Sequence, residues 1–215
     1  MTSDRPRGTR RSIRLPGYDY TQPGAYFITL CTHGGECLFD DPVLRRVVEK
    51  AWVELPRHFS RLSLDDWVVM PNHFHGIPML SDVRDVGAMH SYQSLAPTRG
   101  IAPAEIPDVA IGLPGNASPL PFPSGAPRGS LGAIIGNFKS MTTRRINRIR
   151  KTPGMPVWQR NYYEHIIRTE RALNAIRKYI TENPTRWRLD KYNTQAGGPD
   201  PLAAELWRLL KEEAT

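Results

Sequence analysis

The sequence predicts an α+β fold, an antiparallel four-stranded sheet with helices laid on it, and three observations lead there. Strand-like runs and amphipathic helical stripes follow one another in the order strand, helix, strand, strand, helix, strand, helix. Two of the strand runs are separated only by Met70-Pro71-Asn72, a tight turn that makes them a hairpin. The stretch 87–129 carries eight prolines and six glycines and holds neither a helical nor a strand period, so it reads as a long disordered insertion within one domain.

Each element has a local reason. Tyr26 to Thr32 is aromatic and β-branched, which predicts the first strand. Asp40-Asp41-Pro42 supplies an acid in the cap region and a proline in the first turn of a helix. Leu44, Val47, Val48, Ala51, Trp52 and Leu55 then form a single apolar stripe, ended by Pro56. Leu64 to Met70 and His73 to Leu80 are the hairpin strands. Ser130 is placed to cap the second helix, with Leu131, Ile134, Ile135, Phe138, Met141, Ile146 and Ile149 towards the core. Arg144, Arg148 and Lys151 recur on another side of it as a basic stripe. Trp158 to Ile167 is expected as the fourth strand. Thr169 caps a third helix, with Glu170 at its positive end, running through Leu173, Ile176, Tyr179 and Ile180 and stopping before Pro184. This is the order of a ferredoxin-like split β-α-β sandwich. The expected organisation is a basic arm over 1–24, a domain over 25–190 that contains the insertion, and a tail over 191–215. That tail carries a short amphipathic helix marked by Leu202, Leu206, Leu209 and Leu210.

Composition narrows the function. The 215 residues carry a formal net charge of +8. Residues 1–14 hold a net +4 and residues 138–151 a net +6, so the remainder is slightly acidic. Excess charge concentrated in two patches fits a partner with repeated negative charge, nucleic acid first. No run approaches the roughly 18 apolar residues of a membrane span, and the basic N-terminus lacks an apolar signal core. The expected place is the cytoplasm, with Cys31 and Cys37 as free thiols, since Cys-x-His with a distant Cys is not a zinc-ribbon spacing.

The residues able to do chemistry centre on Pro71-Asn72-His73-Phe74-His75. Side chains on a strand alternate, so His73 and His75 share a face and can offer two nitrogens to one divalent cation, while Phe74 points into the core. Tyr179 and Asn183 lie at i and i+4 on one helix face. A phenol of pKa about 10 is only ~0.1 % ionised at neutral pH. As a nucleophile on phosphorus it therefore needs a cation to absorb the developing charge. The amide oxygen of Asn183 could complete a sphere begun by the histidines. Spacing alone leaves Tyr162 and Tyr163 open as rival nucleophiles, and His165 as a rival ligand.

With their flanks these residues resemble a known family. His73-Phe-His75 after Asp66-Trp-Val-Val-Met-Pro-Asn72 resembles the His-hydrophobe-His signature of HUH nucleases. Arg11-Ser-Ile-Arg-Leu-Pro-Gly-Tyr-Asp-Tyr20, Gly136-Asn-Phe-Lys-Ser140, Val157-Trp-Gln-Arg-Asn-Tyr-Tyr-Glu-His-Ile-Ile-Arg168 and Tyr179-Ile-Thr-Glu-Asn-Pro184 are similar to REP-associated tyrosine transposases, in that family's order. The resemblance spans roughly residues 10–86 and 130–190. It implies Tyr179 as the single catalytic tyrosine and magnesium or manganese held by His73 and His75. It also implies that Asn183 assists, at a position where relatives often carry glutamine. The implied reaction cuts single-stranded DNA beside a hairpin of repeated extragenic palindrome type, leaving a 5′-phosphotyrosine bond and a free 3′-hydroxyl. The bond energy is kept, so a second strand can be joined without ATP. From charge, Arg10, Arg11 and Arg14 of the arm and Lys139, Arg144, Arg145 and Arg148 of the second helix are expected to hold the DNA backbone. Monomer and homodimer are both compatible with the sequence. Two other readings stand beside this one. The first is a hairpin-binding protein without turnover. The second is a small metallohydrolase, which would need a general base that no His-Glu-x-x-His or similar cluster supplies.

Overall fold

The structure, a computed structural model, describes residues 17–82 and 126–213. The arm arginines Arg10, Arg11 and Arg14, and the 87–125 part of the expected insertion, lie outside the described residues. Eight principal elements follow in order: β1 Gly24–Cys31, α1 Pro42–Glu54, β2 Leu62–Val69, β3 His73–Leu80, α2 Leu131–Arg150, β4 Tyr163–Ile167, α3 Glu170–Glu182 and α4 Pro201–Glu213. The strands form one sheet in the order β2-β3-β1-β4, every neighbouring pair antiparallel. That is the ferredoxin-like α+β arrangement the element order implies: each strand–helix–strand unit is split by a strand of the other.

The sheet has two covered faces, and the period of two decides which side chain goes where. Tyr26, Ile28, Leu30, Phe74 and Leu80 meet the apolar stripes of α1 and α2. Phe27 and Ile77, one residue out of step, meet Leu173, Ile176, Tyr179 and Ile180 of α3 and Leu206 and Leu210 of α4. The caps are those expected. Asp41 accepts hydrogen bonds from the Val43 and Leu44 amides, Ser130 from Ala133, and Thr169 from Ala172. Each such cap contributes about 1 kcal/mol.

Three departures from the sequence reading have physical causes. The fourth strand is shorter than Trp158–Ile167: Trp158 makes only an isolated bridge to Thr32, and pairing resumes at Tyr163. In the gap the Lys139 ammonium donates to the carbonyls of Gln159 and Arg160, so a side chain takes the place of the ladder. Ile149, expected in the core, is 39 % exposed, because the end of α2 runs on past the packed stripe. Strand β2 begins at Leu62 and carries one extra residue between Leu64 and Trp67, opposite Ile77 and next to Pro78, which has no amide to offer the ladder. Among the described residues no helix is long and apolar enough to cross a membrane.

Candidate active site

Strand β3 brings His73 and His75 to the α3 side of the sheet, both fully buried, while Phe74 packs between Trp52 and Phe138 on the other side. Register places them opposite Cys31 and Thr29 of β1. Their Nε2 atoms stand 3.0 Å apart. The outer nitrogens are engaged: His73 Nδ1 lies 2.9 Å from Asn72 Oδ1, and His75 Nδ1 lies 2.9 Å from Thr29 Oγ1. The Asn72 amide is itself oriented, its nitrogen donating to Gly35 O at 3.2 Å and to Tyr192 O at 2.7 Å. Its oxygen therefore faces His73, which must donate from Nδ1 and keep a bare lone pair on Nε2.

Asp190 completes the cluster. Its carboxylate oxygen is 3.7 Å from His73 Nε2, and one ligand atom from each of His73, His75 and Asp190 fits within a mutual 4.8 Å. All three residues are buried. Burial holds both imidazoles neutral: it lowers the His73 pKa to about 3, with the Lys191 charge adding to it. His75 is pushed well below 6.5 by burial first, then by His73. Burial also raises Asp190 above the usual carboxylate value, against hydrogen bonds from the Tyr192 amide and Asn183. Two neutral imidazole lone pairs and a carboxylate converging on one point, with the far nitrogens held by neighbours, fit a divalent cation.

Tyr179 projects into this cluster from α3. Its hydroxyl is 3.4 Å from His75 Nε2, and its ring packs edge-on against Phe27 and against His75. Burial raises its pKa, Asp190 adds to the rise, and a hydrogen bond from the Asn183 side chain opposes it. Asn183, buried at the end of α3, lies near both groups and favours the charged form of each. Tyr162 packs with the α1–α2 core on the opposite face, and Tyr163 sits edge-on to Trp207 with its pKa pushed to about 12 by burial. His165 lies 3.5 Å from Glu213 of α4.

Sequence reasoning missed Asp190. It follows a seven-residue 3-10 segment, Asn183–Leu189, whose tight period no helical or strand pattern reveals. The signal that could have found it is local. Its carboxylate accepts the amide of Tyr192, the ordinary turn use of aspartate. The aromatic ring that follows lies 4.6 Å from His73. The basic residues divide. Arg144 and Arg148 are exposed, Arg145 is 3.1 Å from Glu54 of α1, and Lys139 is drawn into the gap beside β4, where burial lowers its pKa to about 8.

Fold and site together define a ferredoxin-like α+β protein with a buried His-His-Asp cluster capable of holding a metal ion, faced by a tyrosine hydroxyl. A Haemophilus influenzae (strain Rd) protein, described as an uncharacterized protein, is 32 % identical over 190 residues, 85 % of this chain and 92 % of its own length. The chain belongs to the same protein family as that relative. No family model matches it. Among solved structures, a REP-associated tyrosine transposase bound to a REP hairpin aligns over 81 % of this chain and 74 % of its own, with 15 % identity and a TM-score of 0.48. A candidate transposase of Deinococcus radiodurans R1 aligns over 79 % and 95 %, also at 15 % identity, with a TM-score of 0.38. At such scores neither likeness decides anything about function.

Proposed function

We propose that this protein is a metal-dependent enzyme that nicks and rejoins single-stranded DNA at hairpins, a REP-associated tyrosine transposase in type. One observation carries the reading: the Tyr179 hydroxyl stands 3.4 Å from His75 Nε2, at the edge of the His73–His75–Asp190 cluster. The order of sequence motifs around these residues supports it. His73, His75 and Asp190 would hold the cation, magnesium or manganese, with the Asn183 side chain near both Asp190 and the nucleophile. The bound ion supplies a positive charge that polarises the phosphate and stabilises the phenolate.

Tyr179 Oη attacks phosphorus. The Oη–P bond forms, the P–O3′ bond breaks, the phenolic proton is given up, and the departing 3′-oxygen takes one. Rejoining reverses these changes with a second 3′-hydroxyl. Neutral histidines suit this role, because a protonated imidazole offers no lone pair. The exposed Arg144 and Arg148 meet the hairpin backbone, together with the arm residues Arg10, Arg11 and Arg14. Arg145 and Lys139, committed to Glu54 and to the β4 gap, contribute less.

The test is an incubation of hairpin-bearing single-stranded DNA with manganese, resolved on a denaturing gel. Wild type with metal gives a covalent protein–DNA band, and His73→Ala does not. Complete burial of His73 and His75 favours a second reading, a hairpin-binding protein without turnover. Retardation on a native gel with no covalent band for any hairpin would put that reading first.

A further inference from the structure

We propose that Lys191 is a phosphate-contact residue of this site, meeting the charged non-bridging oxygens of the DNA phosphate that Tyr179 attacks; the proposal rests on the nicking reading above. The buried cluster contains no basic group of its own. His73 and His75 are neutral, and Tyr179, Asn183 and Asp190 are buried around them. Lys191 follows Asp190 directly, is exposed, and lies over the Tyr192 ring, which itself packs 4.6 Å from His73. Its ammonium lies 4.1 Å over the Trp207 ring and 4.9 Å over that of Tyr192. Among the described residues it makes no close ion pair, although the neighbouring Asp190 carboxylate attracts it.

The backbone on both sides of it is fixed. The Asp190 amide donates to Trp187 O, the Tyr192 amide to Asp190 Oδ1 and the Asn72 side chain to Tyr192 O. The charge bears on the site itself, opposing protonation of both His73 and His75. By contrast Lys139 spends its ammonium on two carbonyls and Arg145 on Glu54.

A phosphodiester carries one negative charge before attack and gathers a second as Tyr179 Oη bonds. A cation aimed at those oxygens therefore contributes more to the transition state than to binding. An aromatic bed holds an ammonium without neutralising it, unlike a carboxylate partner.

The experiment compares wild type, Lys191→Met and Lys191→Arg in the full chain with manganese. Two oligonucleotides are used, one natural and one with an uncharged methylphosphonate at the scissile position. On the natural strand Lys191→Met lowers the rate of adduct formation about 100-fold, Lys191→Arg recovers most of it, and manganese affinity does not fall. On the methylphosphonate strand wild type and Lys191→Met react within about threefold of each other, because the charge that Lys191 meets is gone. An equal loss on both strands, or no loss on either, overturns the proposal. Binding in the Tyr179→Phe background gives a second arm that needs no cleavage. There Lys191→Met reduces the salt slope of single-strand affinity by roughly 0.7, the value of one phosphate contact. An unchanged slope contradicts the proposal. Absence of any adduct from wild type, with that slope effect present, would count against nicking and leave the lysine contact standing.

Discussion

Asn72 sets the protonation of the site from one position before it. Its amide nitrogen is tied to Gly35 O and Tyr192 O, so its oxygen can only accept from His73 Nδ1. Asn72→Ala should weaken manganese binding about tenfold, as losses of such supporting hydrogen bonds do, and calorimetric titration would measure it. Asp190→Asn removes a ligand charge and should weaken binding further than Asn183→Ala does. Both histidines have pKa values in the folded chain below the ordinary 6.5, which fixes the sign of a pH effect. The metal-free protein has their full contribution above pH 6.5 and loses it as the pH falls towards about 3, because the unfolded chain takes up protons that the folded one refuses. The slope is about 1.4 kcal/mol per pH unit for each histidine. Thermal melts between pH 7 and pH 5 should therefore fall for wild type and fall less for His75→Gln. His73 and His75 were legible as a pair because strand alternation puts them on one face, whereas Tyr179 was singled out from Tyr162 and Tyr163 only by the family resemblance. Asp190 was not, since it is brought in by a 3-10 turn with no period to follow.

At the level of single elements, Gly76 shows how closely β3 is gripped. A Cβ there would stand 2.8 Å from the Phe74 ring and 2.9 Å from Trp52. Gly76→Ala should destabilise the protein by about 1–3 kcal/mol through overpacking, read by urea unfolding, while Gly136→Ala, with open space around it, should not. Most elements were legible for a local reason. Asp41, Ser130 and Thr169 are caps whose side chains make the bonds their residue types promise. The start of β4 was not legible, because Gln159 and Arg160 lie between strand-like flanks but give their carbonyls to Lys139 from a distant helix. A tertiary contact decided that boundary, and no local pattern carries such information.

For the whole molecule, the order of elements pointed to the topology, since right-handed, uncrossed connections leave few ways to arrange four antiparallel strands. The docking of α4 was harder to read. Its leucines show an amphipathic helix, but its place on α3 depends on Leu206 and Leu210 meeting Phe27 and Ile77, which lie far away in the chain. Net charge also works at this scale. Replacing Arg144 and Arg148 with Gln should lower the salt slope of DNA affinity by roughly 0.7–0.9 per residue. Replacing Arg145, which is paired with Glu54, should change that slope less. Fluorescence titrations at several ionic strengths would separate the two.

On the proposed mechanism Tyr179 becomes bonded to DNA. The most direct measurement is peptide mapping by mass spectrometry, after wild type has reacted with a hairpin-bearing single strand and manganese and been trimmed with nuclease. A nucleotide mass is expected on the peptide containing Tyr179, and none when Tyr179→Phe is treated alike. A nucleotide mass on Tyr162, Tyr163 or Tyr192, or an adduct that survives in Tyr179→Phe, would contradict it.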